Sequence, residues 1–171
     1  MVFTGRYNSP LGGITFAGED GALSGLWFDG QKYFAETLKG RYAEGELPVF
    51  SMVRRWLDVY FSGSAPDFTP PLATEGASPF RKMVWQILLS IPFGNTLTYG
   101  QIAARIQSET SKRVSAQAVG GAVGHNPISV IIPCHRVVGA DGSLTCYAGG
   151  IDKKLALLKL EGADVSKSTF K

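Results

Sequence analysis

Apolar and polar residues alternate over the first thirty positions of the chain. The segments "MVFTGRY", "GGITFAG" and "ALSGLWF" each follow this alternation, and the turn-forming stretches "NSPL" and "EDG" separate them. A period of two is typical of half-buried strands, and short polar connections join neighbouring strands of a meander. The pattern therefore predicts three strands at the start of the chain.

Helical periodicity comes next, and it predicts helices over Gln31–Tyr42 and Pro48–Phe61. In the second segment the apolar residues recur at helical spacing, namely Val49, Val53, Trp56, Leu57 and Tyr60. Residues 64–77 hold three prolines and many small residues, a composition that buries little surface and is typical of a linker. We therefore predict an N-terminal α+β domain over residues 1–63, a linker over 64–77 and a C-terminal domain over 78–171.

The C-terminal domain begins with clear helix signals. Ser78 is a good N-cap with Pro79 at the first helical position, Thr98 precedes "YGQIAARIQ", and Ser115 precedes "AQAVGGAVGHN". The last two helices are joined by the polar stretch "SETSKR", which predicts a helix-turn-helix. A strand "ISVIIP", a glycine-rich loop and a final helix "IDKKLALLKLEG" complete the pattern.

The second helix of this pair has an unusual composition. Two glycines lie in its interior, and each costs ~1 kcal/mol relative to alanine. Small residues allow a helix to pack closely on a neighbour. They also allow it to enter a narrow space such as the minor groove of DNA, about 6 Å wide. The residues alone leave both interpretations open.

Composition narrows the class of protein. Of the 171 residues 44% are hydrophobic and 18% are charged, which excludes a disordered chain. No apolar run approaches the ~20 residues of a membrane helix, and no signal peptide is visible, so we expect a cytoplasmic protein. Two cysteines without a CxxC pair and two histidines predict neither a disulfide framework nor a metal site, and we expect no cofactor. The net charge of +3 permits binding to a polyanion without requiring it.

The run "PCHR" places a thiol beside an imidazole. A single cysteine is often core filler, but His135 and Arg136 make the surroundings of Cys134 cationic, and this favours the nucleophilic thiolate. Glu161 could orient the imidazole in a Cys-His-Glu relay. Sequence distance alone does not distinguish Glu161 from the other acids, and a structural role for Cys134 stays open at this point.

Longer segments resemble one family. "NPISVIIPCHRVVG" is similar to the active-site signature of the O6-alkylguanine-DNA alkyltransferases. "PFRKMVWQIL", "TYGQIA", "AVGGAVGHNP" and "YAGGIDKKLALLKLEG" have the order and spacing of the same family. The resemblance implies an α+β fold with a small ribonuclease H-like N-terminal domain. The C-terminal domain would be mostly helical, with a winged-helix-like helix-turn-helix.

The resemblance also implies an activity, direct-reversal DNA repair. O6-alkylguanine, and also O4-alkylthymine, would be flipped out of double-stranded DNA through the minor groove. The alkyl group would then pass irreversibly to Cys134, once per molecule. We expect the stand-alone form of the family, acting as a monomer without an obligate protein partner, a cofactor, a metal or a membrane.

Site roles are implied by the resemblance residue by residue. Cys134 would accept the alkyl group, His135 would act as its base through a water, and Glu161 would orient the imidazole. Asn126 would brace the active-site turn, and Tyr99 would help to rotate the nucleotide and donate a proton to the departing base. The implied alkyl pocket consists of Tyr147, Ala148, Gly149 and Lys154. The implied DNA contacts are Phe80, Arg81, Tyr99, Gly100, Gln117, Ala118, Gly121 and Arg136.

Two positions depart from the family pattern. Gln117 stands where many members have an arginine that fills the gap left by the flipped base. Cys146 stands before the pocket tyrosine, where we expect glycine or asparagine. Cys146 could be inert packing, a second reactive thiol or a disulfide partner for Cys134.

Two other functions compete with the alkyltransferase. A non-catalytic, alkyltransferase-like lesion-binding protein would keep the fold and lack the cysteine, so the presence of Cys134 disfavours it. A thiol hydrolase could use a Cys-His-Glu set, but it would turn over many times.

Overall fold

The computed structural model describes residues 1–38 and 40–168. These residues form two compact units. The first consists of Met1–Glu75 together with Pro127–Ile131, and the second consists of Gly76–Asn126 together with the chain from Ile132 onward. The first unit is therefore discontinuous in sequence.

A four-stranded sheet forms the framework of the first unit. Its strands are β1 (Val2–Ser9), β2 (Gly12–Glu19), β3 (Ala22–Phe28) and β4 (Tyr42–Glu44), in the order β3-β2-β1-β4. Strand β2 is antiparallel to β1 and β3, and β4 is parallel to β1. The three predicted strands are thus confirmed.

Helix α1 (Pro48–Phe61) supplies the apolar face that the sequence predicts. Its buried residues are Val49, Phe50, Val53, Trp56, Leu57 and Tyr60. The rings of Phe50 and Phe16 meet edge to face, with 4.8 Å between their centroids. Burial of this stripe against the sheet is the main driving force for the core of the unit.

The predicted helix over Gln31–Tyr42 is wrong. Residues 31–38 form successive turns, with Tyr33 and Ala35 in the left-handed region at φ 61° and 55°. Residues in this conformation interrupt the i→i−4 hydrogen bonds of a helix. Lys39 lies outside the described residues, and β4 begins at Tyr42.

Two segments distant in sequence pair with strand β3. Leu23 donates to the carbonyl of Pro71 and accepts from Ala73, both at 2.8 Å, so part of the segment predicted as a linker is ordered here. Leu26 donates to Pro127 and accepts from Ser129, both at 2.9 Å. These short pairings occupy backbone groups that the edge strand would otherwise leave unpaired.

The second unit is mostly helical. Its helices are α2 (Pro79–Leu89), α3 (Tyr99–Thr110), α4 (Ala116–Gly124) and α5 (Ile151–Leu160). Two short parallel strands, β5 (Leu97–Thr98) and β6 (Val137–Val138), pair with each other. The expected α+β class with a helix-turn-helix is confirmed. No described helix is both long and apolar enough to cross a membrane.

Side-chain caps fix where three of these helices begin. The hydroxyl of Ser78 accepts from Arg81 N–H at the start of α2, and that of Ser115 accepts from Ala118 N–H at the start of α4. Thr98 and Gln101 form a reciprocal capping box at the start of α3.

The predicted strand over Ile128–Ile132 is also wrong. Only Ile128 forms a bridge, with Leu26, and residues 129–131 form turns. Val130 has φ 67°, and Ile131 N–H donates to Ser129 O at 2.8 Å across it, so the chain reverses within three residues. The apolar run is buried, as its composition indicates, but its backbone is not extended.

Candidate active site

Cys134 begins a single 3₁₀ turn, Cys134–Arg136. Just before it, Pro133 has φ −81° and ψ 67°, and Cys134 N–H donates to Ile132 O at 2.8 Å. This geometry is that of an inverse γ-turn, which proline's fixed φ favours. The thiol therefore lies at a sharp change of chain direction, and Cys134 is only 5% exposed.

Asn126 holds this turn from the end of α4. Its Nδ2 atom donates to Ile132 O at 2.8 Å, the same carbonyl that accepts from Cys134 N–H. The Asn126 side chain also forms a hydrogen bond with the Cys134 thiol, which lowers the pKa of that thiol. Asn126 thus contacts both the backbone and the sulfur of the turn.

His135 and Glu161 form a buried pair. Nε2 of His135 lies 2.5 Å from Oε2 of Glu161, the residue that follows α5. Burial opposes ionisation of Glu161, but hydrogen bonds from His135 and Arg136 outweigh it and lower the pKa of the carboxyl to about 2. The carboxylate is therefore charged at neutral pH.

The thiol and the imidazole are both neutral at rest. Burial raises the pKa of Cys134 above its ordinary value, against the lowering effects of Asn126 and of the Lys154 charge. Burial also lowers the pKa of His135, against the raising effect of Glu161. A neutral histidine beside a protonated thiol is a suitable base for it.

Lys154 and Tyr99 meet at the backbone carbonyl of Thr145. Lys154 Nζ donates to it at 2.9 Å and Tyr99 Oη at 3.2 Å, and Nζ lies 5.9 Å from the centre of the Tyr99 ring. Lys154 is fully buried, which lowers its pKa to about 8. Burial raises the pKa of Tyr99 to about 12.

The other residues predicted for the alkyl pocket lie on the loop that leads into α5. Tyr147 is buried, with its ring perpendicular to that of His135 and 6.5 Å from it. Ala148 and Gly149 form a turn that Gly150 N–H closes by donating to Tyr147 O at 2.9 Å. Cys146 is exposed and has φ 58°, in the left-handed region where glycine and asparagine are favoured.

Seven of the eight predicted DNA contacts are exposed or partly exposed. Gln117, Ala118 and Gly121 are exposed on α4, and Gly100 is exposed on α3. A Cβ added at Gly121 would meet nothing within 4 Å, whereas one at Gly120 would lie 3.9 Å from the Tyr99 ring. A Cβ at Gly120 would thus be at ordinary contact distance, and one at Gly121 would lie in open space. Phe80, Arg81 and Tyr99 are partly exposed at the starts of α2 and α3.

Arg136 differs from the rest of this group. It is 8% exposed, and its guanidinium donates to Glu161 and to the Ile91 carbonyl. All three of these acceptor atoms are internal to the protein. We therefore place Arg136 in the support of Glu161 and not among the DNA contacts.

Several backbone groups of the site were missed at the level of sequence. They are the carbonyls of Thr145 and Ile91 and the N–H of Gly94, and a backbone group carries no side-chain signal. Only Gly94 could have been found, because "PFGN" is typical of a turn that needs a positive φ, and its φ is 84°. Among the described residues no cluster of histidine, cysteine and acidic side chains could hold a metal ion.

The fold and the site define a class: a helix-turn-helix protein with a buried cysteine that directly precedes a histidine paired with a glutamate. Two family models match the chain. The "6-O-methylguanine DNA methyltransferase, DNA binding domain" covers residues 79–163, and the "6-O-methylguanine DNA methyltransferase, ribonuclease-like domain" covers residues 2–74. The chain belongs to the 6-O-methylguanine DNA methyltransferase family.

Relatives of similar length support this assignment. The methylated-DNA--protein-cysteine methyltransferase of Mycobacterium tuberculosis is 41% identical over 161 residues, which are 94% of this chain and 93% of the relative. That of Methanosarcina acetivorans is 43% identical over 157 residues, 92% and 96% of the two chains. The crystal structure of Mycobacterium tuberculosis OGT in complex with DNA superimposes with a TM-score of 0.81 at 40% identity, covering 97% of this chain and 94% of that one.

Proposed function

We propose that Cys134 is the residue through which this member of the family repairs alkylated DNA. The reaction is methyl transfer from DNA to a protein cysteine, which is direct-reversal repair. The observation that carries the assignment is the buried thiol of Cys134 immediately before a histidine whose Nε2 lies 2.5 Å from Glu161. The other cysteine, Cys146, is exposed.

The chemistry is governed by the resting charges of the site. His135 takes the thiol proton through a bridging water, and Glu161 stabilises the imidazolium that forms. The Cys134 thiolate then attacks the alkyl carbon on guanine O6. A sulfur–carbon bond forms, the carbon–oxygen bond breaks, and its electron pair leaves with the guanine.

Two further groups act on the developing charges. The ammonium of Lys154 favours the thiolate, since its charge lowers the pKa of Cys134. The departing guanine anion takes up a proton, for which the Tyr99 hydroxyl is the proposed donor. The product is a thioether, which water does not hydrolyse, so each molecule acts once and no cofactor is required.

The target atom lies inside the duplex, so the nucleotide must leave the base stack at a cost of a few kcal/mol. We place α4 in the minor groove, because its exposed residues Gln117, Ala118 and Gly121 are small or uncharged and permit close approach. Gln117 occupies the space that the base leaves. Phe80, Arg81 and Gly100 contact the phosphate backbone beside it.

We also infer the alkyl-binding residues, the DNA substrate, the cellular location and the oligomeric state. Tyr147, Ala148 and Gly149 line the space for the alkyl group. The partner is double-stranded DNA containing O6-alkylguanine, with O4-alkylthymine as a second substrate. We place the protein in the cytoplasm as a monomer.

A single incubation tests the assignment. The protein is mixed with a molar excess of a short duplex carrying O6-methylguanine, and the intact mass, the modified peptide and the amount of duplex repaired are then measured. We expect one added methyl group, on Cys134, and no repair beyond one equivalent. Cys146→Ser should behave as the unmodified chain does, whereas Cys134→Ser should gain no methyl group.

Other outcomes would identify the competing functions. Repair of more than one equivalent per molecule would indicate a hydrolase. Binding of the lesion duplex without any gain in mass would indicate a non-catalytic lesion-binding protein. A methyl group on Cys146 would overturn the choice of acceptor.

A further inference from the structure

The guanidinium of Arg136 is committed to two partners inside the second unit. Nε donates to Glu161 Oε1 at 2.8 Å, and Nη2 donates to Oε2 of the same carboxylate at 3.2 Å. Nη1 donates to the backbone carbonyl of Ile91 at 2.6 Å. One side chain thus joins the carboxylate beside His135 to the chain that comes after α2.

That chain, the loop Ile91–Gly94, also contacts Glu161 directly. Gly94 N–H donates to Glu161 Oε1 at 3.0 Å, and a Cβ on Gly94 would lie 2.9 Å from the backbone oxygen of Glu161. The Phe93 ring lies 5.9 Å from the guanidinium carbon of Arg136. The loop therefore approaches the acid by a route that only glycine at position 94 permits.

Both carboxylate oxygens are saturated by this arrangement. Oε1 accepts from Arg136 and Gly94, and Oε2 faces His135 and the second nitrogen of Arg136. A carboxylate held at four points cannot rotate away from the imidazole. Paired donors from arginine provide such fixed geometry better than the single charge of lysine does.

Stability alone is a weak reason for this arrangement. Burying an arginine and a glutamate costs desolvation energy that their attraction often does not exceed. A relay, in contrast, needs its acid in one orientation, because the acid sets the orientation and tautomer of the imidazole. The geometry of Arg136 serves that need directly.

We propose that Arg136 is a positioning residue for alkyl transfer, which holds the Glu161 carboxylate in line with His135 by fixing it to the Ile91–Gly94 loop. This inference rests on the proposed function, in which His135 is the base for Cys134. Arg136 acts through Glu161 and does not contact the reacting atoms.

The charges around His135 predict a second effect of removing Arg136, on the pH dependence of transfer. Glu161 raises the pKa of His135, while the positive charges of Arg136 and Lys154 lower it; Cys134 and Tyr147 are the other titratable neighbours and are neutral at rest. Loss of the Arg136 charge should raise the pKa of His135. The acidic limb of the rate profile, where His135 gains its proton, should then move to higher pH.

The test compares Arg136→Met with Arg136→Lys in the full chain. The single-turnover rate of methyl uptake is measured at saturating O6-methylguanine duplex across pH, and duplex affinity is measured separately. Arg54→Met is the matched control, because Arg54 makes a similar double contact with Glu46, at 2.9 and 2.8 Å, in the other unit.

We expect Arg136→Met to slow transfer by about tenfold or more, and by no more than the 10²–10⁴-fold that a general base supplies. Arg136→Lys should recover part of the rate and leave the acidic limb in place. Duplex affinity should be unchanged in both, and Arg54→Met should match the unmodified chain. In a Glu161→Gln background, Arg136→Met should cause little further loss, because it acts through the missing carboxylate.

Specific results would overturn the inference. An unchanged rate in Arg136→Met would do so, as would a loss of equal size in the Glu161→Gln background. Weaker duplex binding with an unchanged saturating rate would make Arg136 a DNA contact. If Arg136→Met fails to fold, two other variants replace it. Arg136→Lys tests the rate and the acidic limb, and Arg136→Met combined with Glu161→Gln is compared with Glu161→Gln alone. Failure of the proposed function is recognised separately, because the unmodified chain would then gain no methyl group on Cys134.

Discussion

The ammonium of Lys154 and the hydroxyl of Tyr99 donate to the same acceptor, the backbone carbonyl of Thr145, at 2.9 and 3.2 Å. Lys154 comes from α5 and Tyr99 from the first residue of α3. Helix α3 of the helix-turn-helix and helix α5 therefore both bind the backbone of the loop that leads into α5. This arrangement keeps a buried positive charge near Cys134.

Removal of that charge should weaken the nucleophile. Because the Lys154 ammonium lowers the pKa of Cys134, Lys154→Met should raise it and reduce the thiolate fraction at neutral pH, by about tenfold for each unit of pKa. The measurement is the pH dependence of Cys134 alkylation by iodoacetamide in a Cys146→Ser background. Lys159→Met, an exposed lysine of the same helix, is the control. An unaltered profile for Lys154→Met would contradict the role of the charge.

The left-handed backbone at Cys146 predicts which residues this position prefers. Cys146→Asn should raise the free energy of unfolding by up to about 1 kcal/mol, because asparagine adopts this region with less strain than most side chains. Cys146→Val should lower it by a similar amount, since a β-branched residue suits the region poorly. Both are measured by urea unfolding, and methyl uptake by Cys134 should persist in Cys146→Asn. Loss of uptake in that variant would give Cys146 a direct part in transfer.

A substitution at Gly121 should change DNA binding without impairing folding, because the space around a Cβ at this position is open. A Cβ at position 121 meets no atom within 4 Å, and Gly121→Gln replaces a poor helix former, so the free protein should be as stable as before or more so. Duplex binding should weaken about tenfold or more, which corresponds to about 1.4 kcal/mol, because the long side chain prevents close approach. Gly124→Gln, at the end of the same helix and also without a neighbour, is the control. Equal affinity in both variants would argue against α4 as the groove-binding element.

Gln117 lacks the charge and the larger planar guanidinium that arginine offers at this position. Gln117→Arg should bind the lesion duplex more tightly, accelerate repair and steepen the salt dependence of binding by about one unit. Affinity over a series of salt concentrations and single-turnover repair provide the readouts. No change in either quantity would show that Gln117 does not enter the DNA.

The free energy of unfolding should fall in acid, because Glu161 and His135 both have lowered pKa values in the folded chain. The pKa of Glu161 is about 2 in the folded chain against 4.5 ordinarily, so the unfolded chain takes up this proton first as the pH falls from about 4.5 towards 2. The total loss is on the order of 3 kcal/mol. His135 has a lowered pKa, so its contribution also declines as the pH falls below its ordinary value of 6.5. Urea unfolding at pH 7, 5.5 and 4 checks this, and a flat series would contradict it.

Sequence reasoning succeeded where local signals agree. Ser78, Thr98 and Ser115 each stand before an apolar helical stripe, and each caps a helix in the structure. The three strands were equally clear, because the alternating residues and the turn-forming stretches between them agree. In these segments, capping, periodicity and turn residues all favour one structure.

It failed where distant contacts decide the backbone. The β-branched run around Val130 predicted burial correctly, but the left-handed φ of Val130 accompanies pairing with Leu26 far away in sequence. The same limit applies to the site. Adjacent Cys134 and His135 are visible in the sequence, whereas the choice of Glu161 and the internal position of Arg136 depend on tertiary packing.

The segment Pro127–Ile131, which ends three residues before the acceptor, is folded with β3 as part of the first unit. A fragment that started at Gly76 would contain every reacting side chain and yet deprive this stretch of its hydrogen-bonding partners. We therefore expect the N-terminal residues to be required for the native conformation of this segment. A gene that lost them would encode Cys134, His135 and Glu161 without the strand that pairs with Pro127–Ile131.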